Sequence, residues 1–353
     1  MKATAQVFPA PRSQPDLNAQ ATASGRNLAI DTMRGIAILM VVAIHSLQQP
    51  LDSSWQVLVD AALRPCVPMF LFASGYLTAL SGRVPLAKRI KAALIPYAIA
   101  FVAAYIYMSL QNPAMDHRLT TTLARFVLAY VFVYYYVFVY VGCTLCLWLV
   151  LRLSGAEAPP AKPRLVVFLM LSIAFGLIAG SYLDPLLTRL GFSGALIEEV
   201  RMRDIPFWFS FAAVGALVAQ LSAGRPLRDM RWTIAGAVLT AYAIYAAVRL
   251  FGIGDAADYD SVAFFGYAAT LCVLLFALDI QLPFVAALGS GSYFIYLWHI
   301  FIVMALRDQA ALRQYGAAIG SGVIYMVTVA ASILALLAVR RFCPPRLVRW
   351  LGA

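Results

Sequence analysis

Ten apolar runs, each close to the length a helix needs to cross a bilayer, fill this chain almost from end to end. They lie near residues 28 to 48, 57 to 80, 92 to 110, 126 to 151, 165 to 183, 204 to 222, 232 to 251, 261 to 279, 290 to 306 and 318 to 339. A hydrocarbon layer about 30 Å thick takes ~20 residues of helix, and in lipid an open chain must satisfy its backbone within the segment itself. The fold class that follows is all-α, a polytopic integral membrane helical bundle. The 353 residues are 63% hydrophobic and only 12% charged, which no ordinary soluble domain matches.

A formal charge of +11 would suggest nucleic acid in a soluble chain. Here the cations sit in short clusters between apolar runs, so they are topology signals and no nucleic-acid partner is expected. An even number of spans puts both termini on one side. With that side inside, about two thirds of the 27 Lys and Arg residues fall there, including Arg83, Lys88, Arg89, Lys91, Lys162, Arg225, Arg340 and Arg341, while Asp255, Asp258 and Asp260 share an outer loop. Both termini are therefore expected in the cytoplasm, in a multi-pass protein of the cell inner (plasma) membrane.

Residues 1 to 27 are polar, with Pro9, Pro11 and Pro15, and read as a disordered cytoplasmic tail; residues 341 to 353 read as a short basic one. No apolar h-region precedes Leu28, so no cleaved signal peptide is expected. The connection from Asp184 to Arg203 reads as a solvated loop. Five scattered cysteines imply neither a disulfide framework nor a metal site; Cys143 and Cys146 read as small buried membrane residues.

The first span is the costly one. Ile36, Ile38, Leu39, Val41, Val42 and Ile44 together contribute about −3 kcal/mol to insertion, while one central Arg or Asp costs about +2.5 to +3.5 kcal/mol. It nevertheless holds Asp31, Arg34 and His45. Asp31 is one turn from Arg34 and can pair with it. Arg34 and His45 return to nearly the same helix face, about 16 Å apart along the axis. Charges placed this way face a bundle interior or a watery cavity, and mark a functional site by default.

Other polar features are less decisive alone. Pro65 and Pro68 should kink the second span, and Ser74-Gly75 allows close helix approach. Arg83, Lys88, Arg89 and Lys91 form a basic cluster that composition reads as an anchor on acidic membrane lipids, with a polyanion such as a nucleotide cofactor as the alternative. Tyr130, Tyr134, Tyr135, Tyr136 and Tyr140 crowd the fourth span and read as interface-belt residues, a carbohydrate path being the alternative. Ser292, Tyr296 and His299 share one face of the ninth span, where His299 either completes a site with His45 or bonds a neighbouring helix. His117 lies in a loop.

Taken together, Asp31, Arg34-Gly35 and His45, then Ser74-Gly75-Tyr76, Arg89-Ile90-Lys91 ahead of Pro96, and Ser292-Tyr293 through Tyr296-Leu297-Trp298-His299 resemble the acyltransferase 3 family of ten-helix membrane acyltransferases. The matches keep the family's order across residues 28 to 340, and the most specific is a basic residue followed by ten residues and a His, met by Arg34 and His45. Two positions depart: Tyr76 stands for Phe, and Lys91 stands for Arg, which exchanges a bidentate fork for a point charge.

The resemblance implies transfer of an acyl group, commonly acetyl, from cytoplasmic acyl-CoA to a hydroxyl of an extracytoplasmic acceptor, such as a surface polysaccharide or glycoconjugate. It assigns catalysis to His45, Arg34 and Asp31, and substrate or donor binding to Arg89, Lys91, Ser74, Tyr296 and His299, with no metal. A transporter of a small acidic or acylated molecule, a non-catalytic assembly partner and a homo-oligomer stay open.

Overall fold

Asn27 starts the first helix: its side chain accepts from the Ile30 N–H, and Asp31 adds a negative charge to the first turn. Among the described residues, all regular structure from there on is helical. Residues 27–131, 133–155, 163–222, 227–253, 261–309 and 312–353 are described by the computed structural model. The proposed tail through residue 26, Lys162, Arg225 and the cluster of Asp255, Asp258 and Asp260 lie outside the described residues.

Helix α1 (Leu28–Ser46) leads to α2 (Ser54–Leu63) and α3 (Cys66–Ser81), which are separated only at Arg64 and Pro65. Next come α4 (Leu86–Gln111), the short α5 (Leu119–Val127) and α6 (Tyr135–Ser154). Helices α7 (Pro163–Arg189), α8 (Gly194–Arg201), α9 (Ile205–Leu221), α10 (Arg231–Phe251) and α11 (Val262–Leu278) follow. The chain ends with α12 (Pro283–Ser290), α13 (Ser292–Gln309), α14 (Ala317–Phe342) and α15 (Pro345–Leu351).

Among the described residues, 8 helical runs are long and apolar enough to cross a membrane. The apolar α11 is shorter, and α12 with α13 forms a pair bent by 78°. These account for all ten apolar runs of the sequence. Leu171, Phe175 and Ile178 of α7, with Leu334 and Leu337 of α14, stay exposed, as lipid-facing residues do.

Two boundaries differ from the sequence reading. The fourth run does not become one helix from residue 126: α5 ends at Val127, Ala129 takes a positive φ of 49°, and α6 begins only at Tyr135. The connection from Asp184 to Arg203 is not simply solvated either, because it forms α8. There Arg201 pairs with the buried Asp184, and Arg203 donates to the Leu128 and Ala129 carbonyls.

Helix α1 packs against α3, α12, α13 and α14. Its contact with α12 is backbone on backbone. A methyl group at Gly35 would land on the Val285 carbonyl oxygen, and one at Gly289 on that of Asp31. Close approach of this kind is how small residues hold helices together where lipid removes the hydrophobic drive. With α12 seated on the first turns of α1, the bend after Ser290 delivers the start of α13 to Arg34. Helix α13 then runs beside α1 in the same direction, meeting it again where Arg307 reaches His45 and Leu47.

Candidate active site

At one end of this helix pair, Arg34 lies 3.4 Å from Asp31 and donates to Ser292 Oγ at 3.3 Å. It lines a cavity of ≈ 240 Å³ shared with Arg89, Tyr136, Tyr140, Tyr293 and Tyr296. Arg89 is fixed from behind, since its Nη1 donates to Thr78 Oγ1 at 2.6 Å and that hydroxyl donates to the Ser74 carbonyl at 2.5 Å. Two guanidinium groups facing one cavity favour an anion or a polarisable carbonyl, and four phenols give it both apolar walls and hydrogen-bonding tips.

Hydrogen bonds hold the tyrosine walls against the broken segment. Tyr296 Oη donates to the Val133 carbonyl at 2.5 Å, Tyr134 Oη to that of Leu297 at 2.8 Å, and Tyr293 Oη to that of Ala93 at 2.6 Å. Tyr134 is fully buried, and Tyr136 nearly so. The interface-belt reading therefore fails for these two: Tyr134, just ahead of α6, and Tyr136, in its first turn, pack against Tyr296 of α13 instead of facing outward. Tyr130 alone remains half exposed.

At the other end, His45 stands in the last turn of α1, and the His299 ring lies 5.4 Å from it between centroids. His299 is 0% exposed, and Ser292 and Tyr296 on the same face of α13 are 2% and 5% exposed. Its Nδ1 sits 3.0 Å from the Ile295 carbonyl and 2.9 Å from that of Tyr296. A carbonyl can only accept, so Nδ1 carries the proton, and in a neutral ring Nε2 is a bare lone pair. Arg307 closes this end, donating to the His45 and Leu47 carbonyls at 2.6 and 2.7 Å.

The expected residues thus divide into two groups on one seam. Arg34, Arg89 and Tyr296 line the cavity and Asp31 pairs with Arg34, while His45 and His299 meet further along. Two others do not reach either place. Lys91 is exposed and does not line the cavity, and Ser74 contributes only the carbonyl behind Thr78. Thr78 and Arg307 were not anticipated, and Tyr136, Tyr140 and Tyr293 were noted in the sequence without being assigned to this site. Spacing held a signal for some of them: Tyr136 and Tyr140 are one turn apart, and Arg307 lies eight residues beyond His299 on the same stripe. Among the described residues, no three His, Cys, Asp or Glu side chains are grouped as metal ligands would be.

A family model described as an acyltransferase domain matches residues 27–339, essentially the whole chain. No curated protein and no solved structure matches it.

Proposed function

The chain belongs to the acyltransferase 3 family, a family of membrane acyltransferases, and on that premise we propose that it acylates a hydroxyl of an extracytoplasmic glycan or glycoconjugate. The donor is cytoplasmic acyl-CoA, acetyl-CoA in the simplest case, and the Arg34 end of α1 faces the cytoplasm. Both termini lie on that same side, in the inner membrane.

The observation that carries this reading is the register of α1 and α13. Arg34 meets Ser292 beside the Arg89 cavity, and His45 meets His299 about three turns further along α1. Arg34 and Arg89 hold the anionic phosphates of the donor, Asp31 keeps Arg34 in place, and the pantetheine arm carries the thioester along α1 toward His45. His45 takes the proton of the acceptor hydroxyl as its oxygen attacks the thioester carbon. The C–O bond forms, the C–S bond breaks, and the proton ends on the sulfur of the released CoA. Proton transfer from a positioned base of this kind accounts for about 10²- to 10⁴-fold in rate. The exposed Lys88 and Lys91 serve as contacts to acidic lipid.

The test is transfer of labelled acetyl from acetyl-CoA to glycans in membranes carrying the protein, joined to mass spectrometry of surface glycans with and without it. One acyl mass should separate the two glycan pools. His45→Ala should reduce transfer about 100-fold or more while the protein stays in the membrane; undiminished transfer would overturn the assignment. The bend between α12 and α13 also favours a transporter, whose substrate site is often built from discontinuous helices. Flux of an intact substrate without consumption of CoA would decide for that reading.

A further inference from the structure

We propose that His299 is a positioning residue for His45: with its own tautomer locked, it takes the His45 N–H and leaves the second His45 nitrogen bare toward the acceptor hydroxyl. The use made of that bare nitrogen rests on the acyl-transfer reading, whereas the pairing itself stands on geometry alone.

Three observations carry it. The first is the lock, since the Ile295 and Tyr296 carbonyls both lie within hydrogen-bond distance of Nδ1 and neither can donate. The second is the vacant acceptor that results: His299 Nε2 is buried and meets no hydrogen-bond partner among the described residues. A buried polar atom of that kind asks for a donor. The third is the neighbour. Of the two rings set against His299, His45 is closer, at 5.4 Å against 6.4 Å for Tyr296, and the Tyr296 hydroxyl is already committed to the Val133 carbonyl. Two imidazoles joined by one N–H···N bond have centroids about 5 Å apart. A small rotation of His45 therefore brings its N–H onto the lone pair.

The consequence is chemical. A neutral imidazole has one N–H and one bare nitrogen, and only the bare one can accept a proton. Left alone, His45 would divide between two tautomers, one of which offers the acceptor a useless N–H. His299 removes that choice. It acts as the third member of a catalytic triad does when it orients the base, but as a neutral group suited to a site inside a membrane.

The chain has 3 histidines, so nitrogen-15 histidine spectra of the full chain in lipid bilayers are tractable, with His117→Gln to remove the loop signal. At a pH where both rings are neutral, His299 should be protonated at Nδ1 and bare at Nε2, with a through-space contact from Nε2 to the protonated nitrogen of His45. His299→Phe, which keeps a ring in place, should let His45 populate both tautomers. It should also lower kcat about tenfold or more, with KM for acetyl-CoA nearly unchanged. A proton on His299 Nε2, or a His45 spectrum that ignores the substitution, would overturn the pairing. The wild-type tautomer of His299 decides the matter even if the variant fails to fold. Should the pairing hold while His45→Ala still transfers acyl groups, the function would fall and the pairing would stand.

Discussion

Arg307 holds the end of the helix that carries His45: its guanidinium donates to the His45 carbonyl at 2.6 Å and to the Leu47 carbonyl at 2.7 Å. The last carbonyls of a helix have no partner of their own, and a cation there also opposes the helix dipole. Hydrogen bonds from a charged donor contribute about 1.5–3 kcal/mol. Arg307→Gln should therefore lower the thermal midpoint in detergent and reduce acyl transfer. Arg307→Lys, which keeps the charge and loses the fork, should fall between the two. Equal behaviour of all three proteins would mean that this cap does not steady His45.

Arg89 and Lys91 are expected to part company in donor kinetics. Arg89 faces the cavity and is held by Thr78, whereas Lys91 is exposed. Arg89→Ala should raise KM for acetyl-CoA about 10-fold or more, the loss of one charge-assisted contact. Thr78→Val keeps the shape and removes the hydroxyl, so a smaller rise in the same constant is expected. Lys91→Ala should change KM by less than about threefold, the range of an exposed charge. Steady-state kinetics on the three variants checks the order, and a Lys91 effect as large as that of Arg89 would contradict it.

How far the sequence could anticipate this is clearest at that same pair. Residues two apart on a helix point about 200° away from each other, so Arg89 and Lys91 could not both line one cavity, and helical geometry alone would have separated them. Apolar length located ten apolar segments, each of which the structure folds as helix in whole or in part, because the bilayer sets that length directly. Hydropathy is blind to a bend, however, and so it missed both the interruption between α5 and α6 and the 78° turn between α12 and α13. Those breaks are what bring Tyr134 and Tyr136 onto α13. The stripe of Ser292, Tyr296 and His299 was visible as a stripe, but its partners on α1 lie more than 250 residues away and only packing pairs them.

The seat of α12 on α1 gives a prediction with opposite signs at different glycines. At Gly35 or Gly289 an added methyl meets a backbone carbonyl that cannot move aside, whereas at Gly266 in α11 it meets nothing within 4 Å. Overpacking of this kind costs about 1–3 kcal/mol or more. Gly→Ala in an unobstructed helix instead stabilises by roughly 0.5–1 kcal/mol. Gly289→Ala should thus yield less monodisperse protein and lose transfer, since the start of α13 moves away from Arg34. Gly266→Ala should match or exceed the parent in thermal stability. The measurement is size-exclusion chromatography after a heating series.

A buried ion network away from the seam should separate stability from catalysis. Asp60 Oδ2 lies 2.8 Å from Arg64 Nε and 2.8 Å from Arg249 Nη1, tying α2 to α10 with all three side chains largely buried. One carboxylate thus offsets two guanidinium groups, and its removal leaves both without that charge in a site of low polarity. Breaking a buried pair from one side costs about 3–5 kcal/mol. Asp60→Asn is nearly isosteric and retains an acceptor oxygen, so its loss of stability isolates the charge. The variant should accumulate poorly and unfold at a clearly lower temperature. Yet the fraction that folds should keep the KM for acetyl-CoA of the parent, because none of the three residues lines the Arg34 cavity. A changed KM in well-folded Asp60→Asn protein would show that this network also reaches the donor site.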